Sequence, residues 1–154
     1  MIEQASQTGS ILAAVDFTVD SEAALIWACE YAEAFHISVK VLHVVHDPEN
    51  EPGYYRRTDE DLLRPMEDIA AEMTADFLTR LVRENPKLPA LADAESIVVK
   101  GVPATRILEV AERIGARHIV MGSRGRTGLP HLLLGSKAER VVQLSPVPVT
   151  IVKA

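Results

Sequence analysis

Three glycines near the end of the chain have a spacing that suits the binding of phosphate. Gly122 and Gly125 lie three positions apart, and nine residues separate Gly125 from Gly135. Gly122 and Gly125 can adopt positive φ and let backbone N–H groups approach an anion. A helix beginning near Ser136 would add the amides and the positive dipole end of its N-terminus. This pattern predicts a site for a phosphate-bearing ligand.

The same stretch carries a local excess of positive charge in an acidic chain. Between positions 122 and 140 there are four basic residues and one acidic residue, namely Arg124, Arg126, Lys137 and Arg140 against Glu139. The whole chain has a formal net charge of −6, which argues against a surface for nucleic acid. A polyanion of small size can still be bound where the basic residues are concentrated.

Simpler interpretations of these residues remain open. A glycine cluster after a strand is often only a turn between a strand and a helix. Ser136 and Glu139 form the S-x-x-E pattern of a capping box, in which the Ser136 hydroxyl would satisfy the start of the helix. Asp16, which follows the first apolar run, can be a turn residue or a site residue. The Walker A loop and the G-x-G-x-x-G fingerprint are absent from the sequence.

The elements that must position these residues alternate between strands and helices. Short apolar runs predict strands over 11–15, 38–45, 95–100, 118–121 and 147–152, with helical apolar spacing between them. This alternation predicts an α/β fold with a five-stranded parallel sheet, helices on both faces and the flavodoxin-like order 3-2-1-4-5. A ligand in such a sheet binds at the carboxyl ends of strands one and four. Asp16 comes at the end of the first of these strands and Gly122 at the end of the other.

Length and composition set the remaining expectations. The 154 residues predict one domain over 1–154, with a flexible segment over 1–9 and a mobile loop over 46–65. The chain has no run of about 18 apolar residues and no signal-peptide pattern at its start, so we expect no membrane contact. The single cysteine, Cys29, excludes an intrachain disulfide, fits a reducing cytoplasm and is interpreted as a buried structural thiol.

Two other groups of residues could suggest chemistry. His43 and His46 are spaced by three along a strand, which places their imidazoles on opposite faces, so we expect no metal site from a direct cluster of side chains. The tetrad Tyr54-Tyr55-Arg56-Arg57 lies in the acidic loop and is interpreted as an exposed partner contact or a lid.

The glycine spacing resembles a known motif. Gly122-Ser123-Arg124-Gly125, nine residues and then Gly135-Ser136 match G-x-x-G-x9-G-[ST], the ATP-binding motif of the universal stress protein family. Further segments along nearly the whole chain resemble the family, namely Val15-Asp16-Phe17-Thr18, Leu42-His43-Val44, Val99-Lys100-Gly101-Val102-Pro103 and Pro146-Val147-Pro148-Val149. The resemblance implies an adenine-nucleotide-hydrolase-like sheet that binds ATP between strands one and four, with Mg²⁺ or Mn²⁺ on the phosphates.

The resemblance also implies roles for individual residues. Asp16 would lie near the nucleotide and its metal-bound phosphates, with Ala14 beside it, although the family often has proline at that position. Val44 would meet adenine through its backbone, and Met121 and Gly122 would flank the ribose. The phosphates would be held by Gly125, Gly135, Ser136 and Lys137, and the charge pattern adds Arg124 and Arg126.

The predicted activity is binding rather than turnover. No general base is recognised in the sequence, and the resemblance implies at most slow ATP hydrolysis or autophosphorylation by a regulatory module of the stress response. A protein of the same fold that binds other proteins without a nucleotide and a weak adenine-nucleotide hydrolase are the alternatives. The edge strand from Val147 to Val152 predicts a homodimer, and a monomer whose edge is covered by its own terminus is the alternative. A protein partner is expected but not identified.

Overall fold

A parallel sheet of five strands lies at the centre of the part of the chain that the structure describes. This structure is a computed structural model that describes residues 9–46, 54–56, 58–124 and 134–154. The strands are β1 (Ser10–Ala14), β2 (Ser38–Val45), β3 (Glu95–Lys100), β4 (Ala116–Gly122) and β5 (Val149–Val152). Their order is β3-β2-β1-β4-β5, and all four neighbouring pairs are parallel. The predicted fold class and strand order are confirmed.

Helices cover both faces of this sheet. They are α1 (Val19–Phe35), α2 (Met66–Glu84), α3 (Pro89–Ala92), α4 (Pro103–Arg113) and α5 (Ser136–Leu144). Ile11 and Ala13 of β1 point into a core shared with α1, α2 and α3, whereas Leu12 and Ala14 point into a core shared with α4 and α5. Successive residues of a strand face opposite sides, and burial on both sides explains why the strands are apolar without alternation.

Several element boundaries differ from the predicted ones. β1 and β4 begin at Ser10 and Ala116, slightly earlier than predicted, and β5 begins only at Val149. Pro148 accepts a hydrogen bond from the Ile119 amide but has no N–H to donate, which explains why β5 starts after it. The short helix α3 was not predicted, although proline at its first turn is favourable there.

The last part of the segment over 46–65, for which a mobile loop is predicted, has regular structure. A 3₁₀ helix spans Asp59–Leu63, and the guanidinium of Arg64 binds both Asp61 and Glu72 of α2. These contacts tie the segment to the body of the protein. Residues 47–53, and 1–8 of the predicted flexible segment, lie outside the described residues.

Cys29 is fully buried on the inner side of α1. Burial, helped by the charges of Glu33 and Glu30, raises the pKa of the thiol to about 12. The thiolate is the reactive form of cysteine, so this side chain is a poor nucleophile. The interpretation of Cys29 as a buried structural thiol is confirmed.

The end of α1 gives a prediction for stability. His36 ends the helix in the left-handed conformation, with φ 55° and its N–H bonded to the carbonyl of Ala32. A residue with a Cβ is strained there and glycine is not, so His36→Gly is expected to raise the free energy of unfolding by about 0.5–1 kcal/mol. Urea denaturation followed by circular dichroism measures the change.

Gly115 provides the matched control for this prediction. It has φ +63°, and a Cβ built on it would meet nothing within 4 Å. Gly115→Ala therefore tests the strain of a residue with a Cβ in the left-handed conformation, without a steric clash. It is expected to lower the free energy of unfolding by about 1 kcal/mol. Changes of the same sign in the two variants would contradict the argument.

Candidate functional site

The carboxyl ends of β1 and β4 lie side by side where the winding of the sheet reverses. Ala14 pairs with Met121 across the two strands, and the chain then continues into Asp16 on one side and Ser123 on the other. Helices α1 and α5, which follow these strands, pack on opposite faces of the sheet. A crevice between the two helix N-termini is the usual ligand site of such folds.

Asp16 organises the turn from β1 into α1. Its Oδ1 accepts hydrogen bonds from the Thr18 amide (3.2 Å) and the Thr18 hydroxyl (2.5 Å), and its own amide donates to the Ser21 hydroxyl (3.2 Å). Thr18 in turn caps α1 by accepting the Ser21 amide. Asp16 therefore stabilises the turn. Both hydrogen bonds that its carboxylate accepts from the described part of the chain use Oδ1 and not Oδ2.

The next residue, Phe17, has a strained backbone. Its φ is 66°, which is unusual for a residue with a bulky side chain. Its ring stacks on His43 of β2, with centroids 4.4 Å apart, and meets Phe77 edge to face. These aromatic contacts hold the turn in place. Strain of this kind clusters at ligand sites, where the surrounding structure maintains it.

His43 connects this turn to the segment after β2. Its Nδ1 donates to the carbonyl of Val15 (2.8 Å), because a carbonyl can only accept, and its Nε2 lies 2.9 Å from the Tyr55 hydroxyl. Both ring nitrogens are thus committed to protein groups. Tyr55 is only 2% exposed and packs with Val45, Ile69 and Ala70, so the expectation of an exposed tetrad at 54–57 is wrong for this residue. Arg57 lies outside the described residues.

The N-terminus of α5 has no side-chain cap. Gly135 is the N-cap, and its amide donates to the Ser123 carbonyl (2.6 Å). Ser136 is the first residue of the helix, so the predicted capping box, with Ser136 as N-cap, is wrong. Its hydroxyl is one position too far along to satisfy the helix end. The amides of Ser136, Lys137 and Ala138 have no acceptor within the helix.

The side chain of Lys137 reaches across the crevice. Its Nζ lies 3.3 Å from Nε2 of His46, the residue that follows β2. An ammonium can only donate, so the imidazole nitrogen accepts. This contact links the start of α5 with the end of β2 and places a positive charge at the mouth of the crevice. His46 was considered above only as a metal ligand, and the contact with Lys137 was not foreseen.

Gly122 is required for packing rather than for its backbone conformation. Its φ is not in the positive range. A Cβ on Gly122 would lie 2.8 Å from the Cβ of Asp20 and 2.9 Å from its backbone carbon. The end of β4 therefore touches the first turn of α1 directly. The expectation that Gly122 serves through positive φ is wrong, since the close approach of α1 explains it.

Asp20 lies at the centre of this contact and was not predicted as a site residue. Its carboxylate is buried and accepts hydrogen bonds from the Ser123 hydroxyl (3.0 Å), Arg124 Nε (3.3 Å) and the Ala154 amide (3.1 Å). Burial by itself would raise the pKa of this carboxyl, but the three hydrogen bonds and the charge of Arg124 outweigh it and hold the pKa below its ordinary value. Asp20 is therefore an anion inside the fold.

The remaining predicted site residues fall into three groups. Ala14, Val44 and Met121 are buried together in the core cluster on the α4 and α5 side of the sheet. Arg124 pairs with Asp20, and its side chain is 40% exposed. Gly125 and Arg126 lie outside the described residues. Among the residues that the structure does describe, no group of three or more His, Cys, Asp or Glu side chains could hold a metal ion.

Comparison with known proteins decides the family. A family model described as the universal stress protein family matches residues 8–153. The chain belongs to the universal stress protein family. Universal stress protein MJ0531 of Methanocaldococcus jannaschii is 36% identical over 99 residues, an alignment that spans 58% of each chain.

Solved structures of universal stress proteins share the fold. Universal stress protein UspA from Lactobacillus plantarum superposes with a TM-score of 0.74 at 21% identity, covering 94% of this chain and 97% of that one. A universal stress protein from Archaeoglobus fulgidus, solved in complex with dAMP, has a TM-score of 0.60 at 24% identity and covers 94% and 97% of the two chains. Across the described ranges of this chain, no helix is long and apolar enough to cross a membrane.

Proposed function

We propose that the protein binds an adenine nucleotide, ATP with Mg²⁺ or Mn²⁺, between the carboxyl ends of β1 and β4. The observation that carries this proposal is the start of α5. Three amides of its first turn, those of Ser136, Lys137 and Ala138, lack acceptors within the helix, and Gly135 before them is bonded to Ser123 at the end of β4. Together with the dipole and the Lys137 ammonium, they suit a chain of phosphates.

The adenosine part would lie over the apolar ends of the strands. Ala14, Val44 and Met121 are each less than 10% exposed and belong to one cluster at this edge. The dAMP bound to the Archaeoglobus relative supports the choice of adenine, since that protein has the same fold. Gly125, Gly135 and Arg126 would complete the phosphate site according to the motif.

Asp16 is the proposed contact to the metal ion. Oδ1 of its carboxylate holds the turn, and Oδ2 can face a cation on the phosphates. Mg²⁺ is usually bound through one or two carboxylates together with phosphate oxygens and water, so a single aspartate is enough. The metal would therefore arrive with the nucleotide.

Calorimetric titration with MgATP tests the proposal. We expect saturable binding with one nucleotide per chain, weakened by chelation of the metal. The purified protein is also to be heated and the released material examined by chromatography for adenine nucleotides. Absence of MgATP and MnATP binding, together with absence of released nucleotide, would refute the proposal and favour a protein-binding module of the same fold.

The proposed role of the nucleotide is regulatory. Signalling in the stress response needs occupancy of the site and not rapid turnover, so we expect hydrolysis far below about 1 per second, the lower end of ordinary enzymes. Release of phosphate at or above that rate would instead indicate an adenine-nucleotide hydrolase. The buried, unpaired Cys29 is compatible with a role in the cytoplasm, which we include in the proposal.

We also propose a homodimer formed through β5. This strand is at the edge of the sheet, and Val149–Val152 are all partly exposed. Val142 and Leu144 of α5 add exposed apolar surface, at 46% and 52%. Two such edges can pair antiparallel about a twofold axis.

A proline in β5 is expected to abolish this dimer. The carbonyls of Pro148 and Val152 accept bonds from β4, so in the alternating ladder the N–H of Ile151 points to the free edge. Ile151→Pro removes that donor without breaking the pairing with β4. Sedimentation should show twice the 16.8 kDa chain mass for the wild type and a monomer for the variant. Ile151→Ala, which keeps the N–H, is the control; a wild-type monomer would contradict the proposal.

A further inference from the structure

Asp20 joins three segments that are distant in the sequence. Its Oδ2 accepts from the Ser123 hydroxyl and from Arg124 Nε, both just after β4, and its Oδ1 accepts from the Ala154 amide beyond β5. The side chain is 6% exposed, so the bonds form away from bulk water. A buried anion with three donors has a fixed position, because losing any one of them leaves charge unsatisfied.

Ser123 links Asp20 to the glycine-containing segment that follows β4. Its amide donates to the Val152 carbonyl (3.0 Å), its carbonyl accepts from the Gly135 amide (2.6 Å), and its hydroxyl donates to Asp20. The two ends of the segment from Ser123 to Gly135 are thus held together at one residue. The start of α5 and the residue Arg124 are consequently both anchored at Ser123.

Among the residues that the structure describes, Asp20 contacts the Arg124 guanidinium along one edge. The contact to Asp20 uses Nε, at 3.3 Å, and involves neither of the two Nη nitrogens. A guanidinium has a rigid planar set of five donors, so fixing one edge also fixes the direction of the other. The Nη donors can bind two oxygens of a phosphate in the bidentate manner typical of arginine.

We propose that Asp20 is a positioning residue for the nucleotide phosphates, which holds the Arg124 guanidinium so that its Nη edge meets them. This inference rests on the proposed function and adds a residue to it. Arginine loses side-chain freedom when it binds a ligand, and an arginine already held by Asp20 loses less. Asp20 itself does not touch the ligand in this arrangement.

A double-mutant cycle with MgATP as the ligand tests the inference. In the wild-type background Asp20→Asn is expected to weaken binding by about threefold to tenfold, the usual cost of ordering one flexible side chain. In the Arg124→Gln background the same substitution is expected to change affinity by less than about twofold, because the group it positions is gone. Equal weakening in both backgrounds, or tighter binding by Asp20→Asn, would overturn the inference.

Controls separate positioning from general damage. Glu22→Gln also removes an acid from the first turn of α1, but Glu22 pairs with Arg80 of α2, away from the crevice. It should leave MgATP affinity unchanged. If Asp20→Asn does not fold, Asp20→Glu serves instead: it keeps the charge but moves the carboxylate away from Nε by one methylene, so the same threefold to tenfold weakening is expected, and wild-type affinity would refute the inference.

A measurement without nucleotide distinguishes this inference from the proposed function. The ¹⁵N-bound Nε proton of Arg124, assigned with Arg124→Gln, is expected to give a resolved signal in the wild type that shifts or disappears in Asp20→Asn. Failure of the wild type to bind MgATP would refute the proposed function, whatever the arginine signal shows. If the Nε signal of Arg124 is the same in the wild type and in Asp20→Asn, the positioning role is refuted even if MgATP binds.

Discussion

Replacing Ser136 by proline is expected to weaken MgATP binding by about 10- to 100-fold while leaving the fold intact. Proline lacks the N–H that the first residue of α5 would donate to phosphate, and a hydrogen bond to a charged group contributes about 1.5–3 kcal/mol. The first helical position tolerates proline well. Gly135, the preceding residue, already has φ −72° and ψ 158°, the extended conformation that proline requires before it.

Ser136→Ala is the matched control for this substitution. It removes the hydroxyl, as proline does, but keeps the amide, so the difference in affinity between the two variants isolates the backbone donor. Titration calorimetry gives both affinities, and thermal unfolding without ligand shows whether the fold is preserved. Equal affinities for the proline and alanine variants would show that this amide does not bind the phosphates.

Gly122→Ala is expected to lower the free energy of unfolding by about 1–3 kcal/mol, the usual cost of overpacking a closed contact. The new methyl group would lie within 3.0 Å of both Cβ and the backbone carbon of Asp20. Backbone atoms of a helix cannot move aside without shifting α1 from the sheet. Urea denaturation measures the loss, and MgATP affinity should fall as well, since Asp20 would be displaced.

Gly9→Ala is a suitable comparison for Gly122→Ala. Its Cβ would also make a short contact, but with Cδ of Arg117, part of an exposed and flexible side chain that can rotate away. The expected change is within about 0.5 kcal/mol, as for most surface substitutions. A loss at Gly122 no larger than that at Gly9 would mean that the end of β4 and α1 are less closely packed than the structure indicates.

The architecture could be predicted because its signals are local. Each strand is an unbroken apolar run, and burial on both faces of a parallel sheet is what produces such runs. Alternation with helices then restricts the strand order to few choices. The adjacency of the carboxyl ends of β1 and β4 at the reversal point follows from that order alone.

The start of α5 shows where local signals are ambiguous. Gly135 and Ser136 are both favourable N-cap residues, and the S-x-x-E pattern favours the second of them. The structure selects Gly135, whose amide is fixed by the Ser123 carbonyl from the end of β4. Nothing within the helix sequence encodes that partner, so the choice could not be made from the pattern.

Asp20 and Tyr55 were missed for a related reason. An acid in the first turn of a helix is common, and a tyrosine in an acidic loop is usually exposed, so neither is unusual in its own segment. Asp20 becomes important through Ser123 and Tyr55 through His43, contacts that only the folded chain provides. The individual contacts of the candidate site depend on tertiary packing, whereas the adjacency of the β1 and β4 ends follows from topology.

The bonds of Asp20 also determine when the site can exist. They connect positions 103 and 134 residues apart, and contacts between such distant positions form slowly and late in folding. A nascent chain that has not yet reached β4 therefore lacks the contacts on which the proposed phosphate site depends. A nucleotide that recognises only the assembled site would leave the folding rate unchanged and would slow unfolding, so it would lengthen the lifetime of finished molecules.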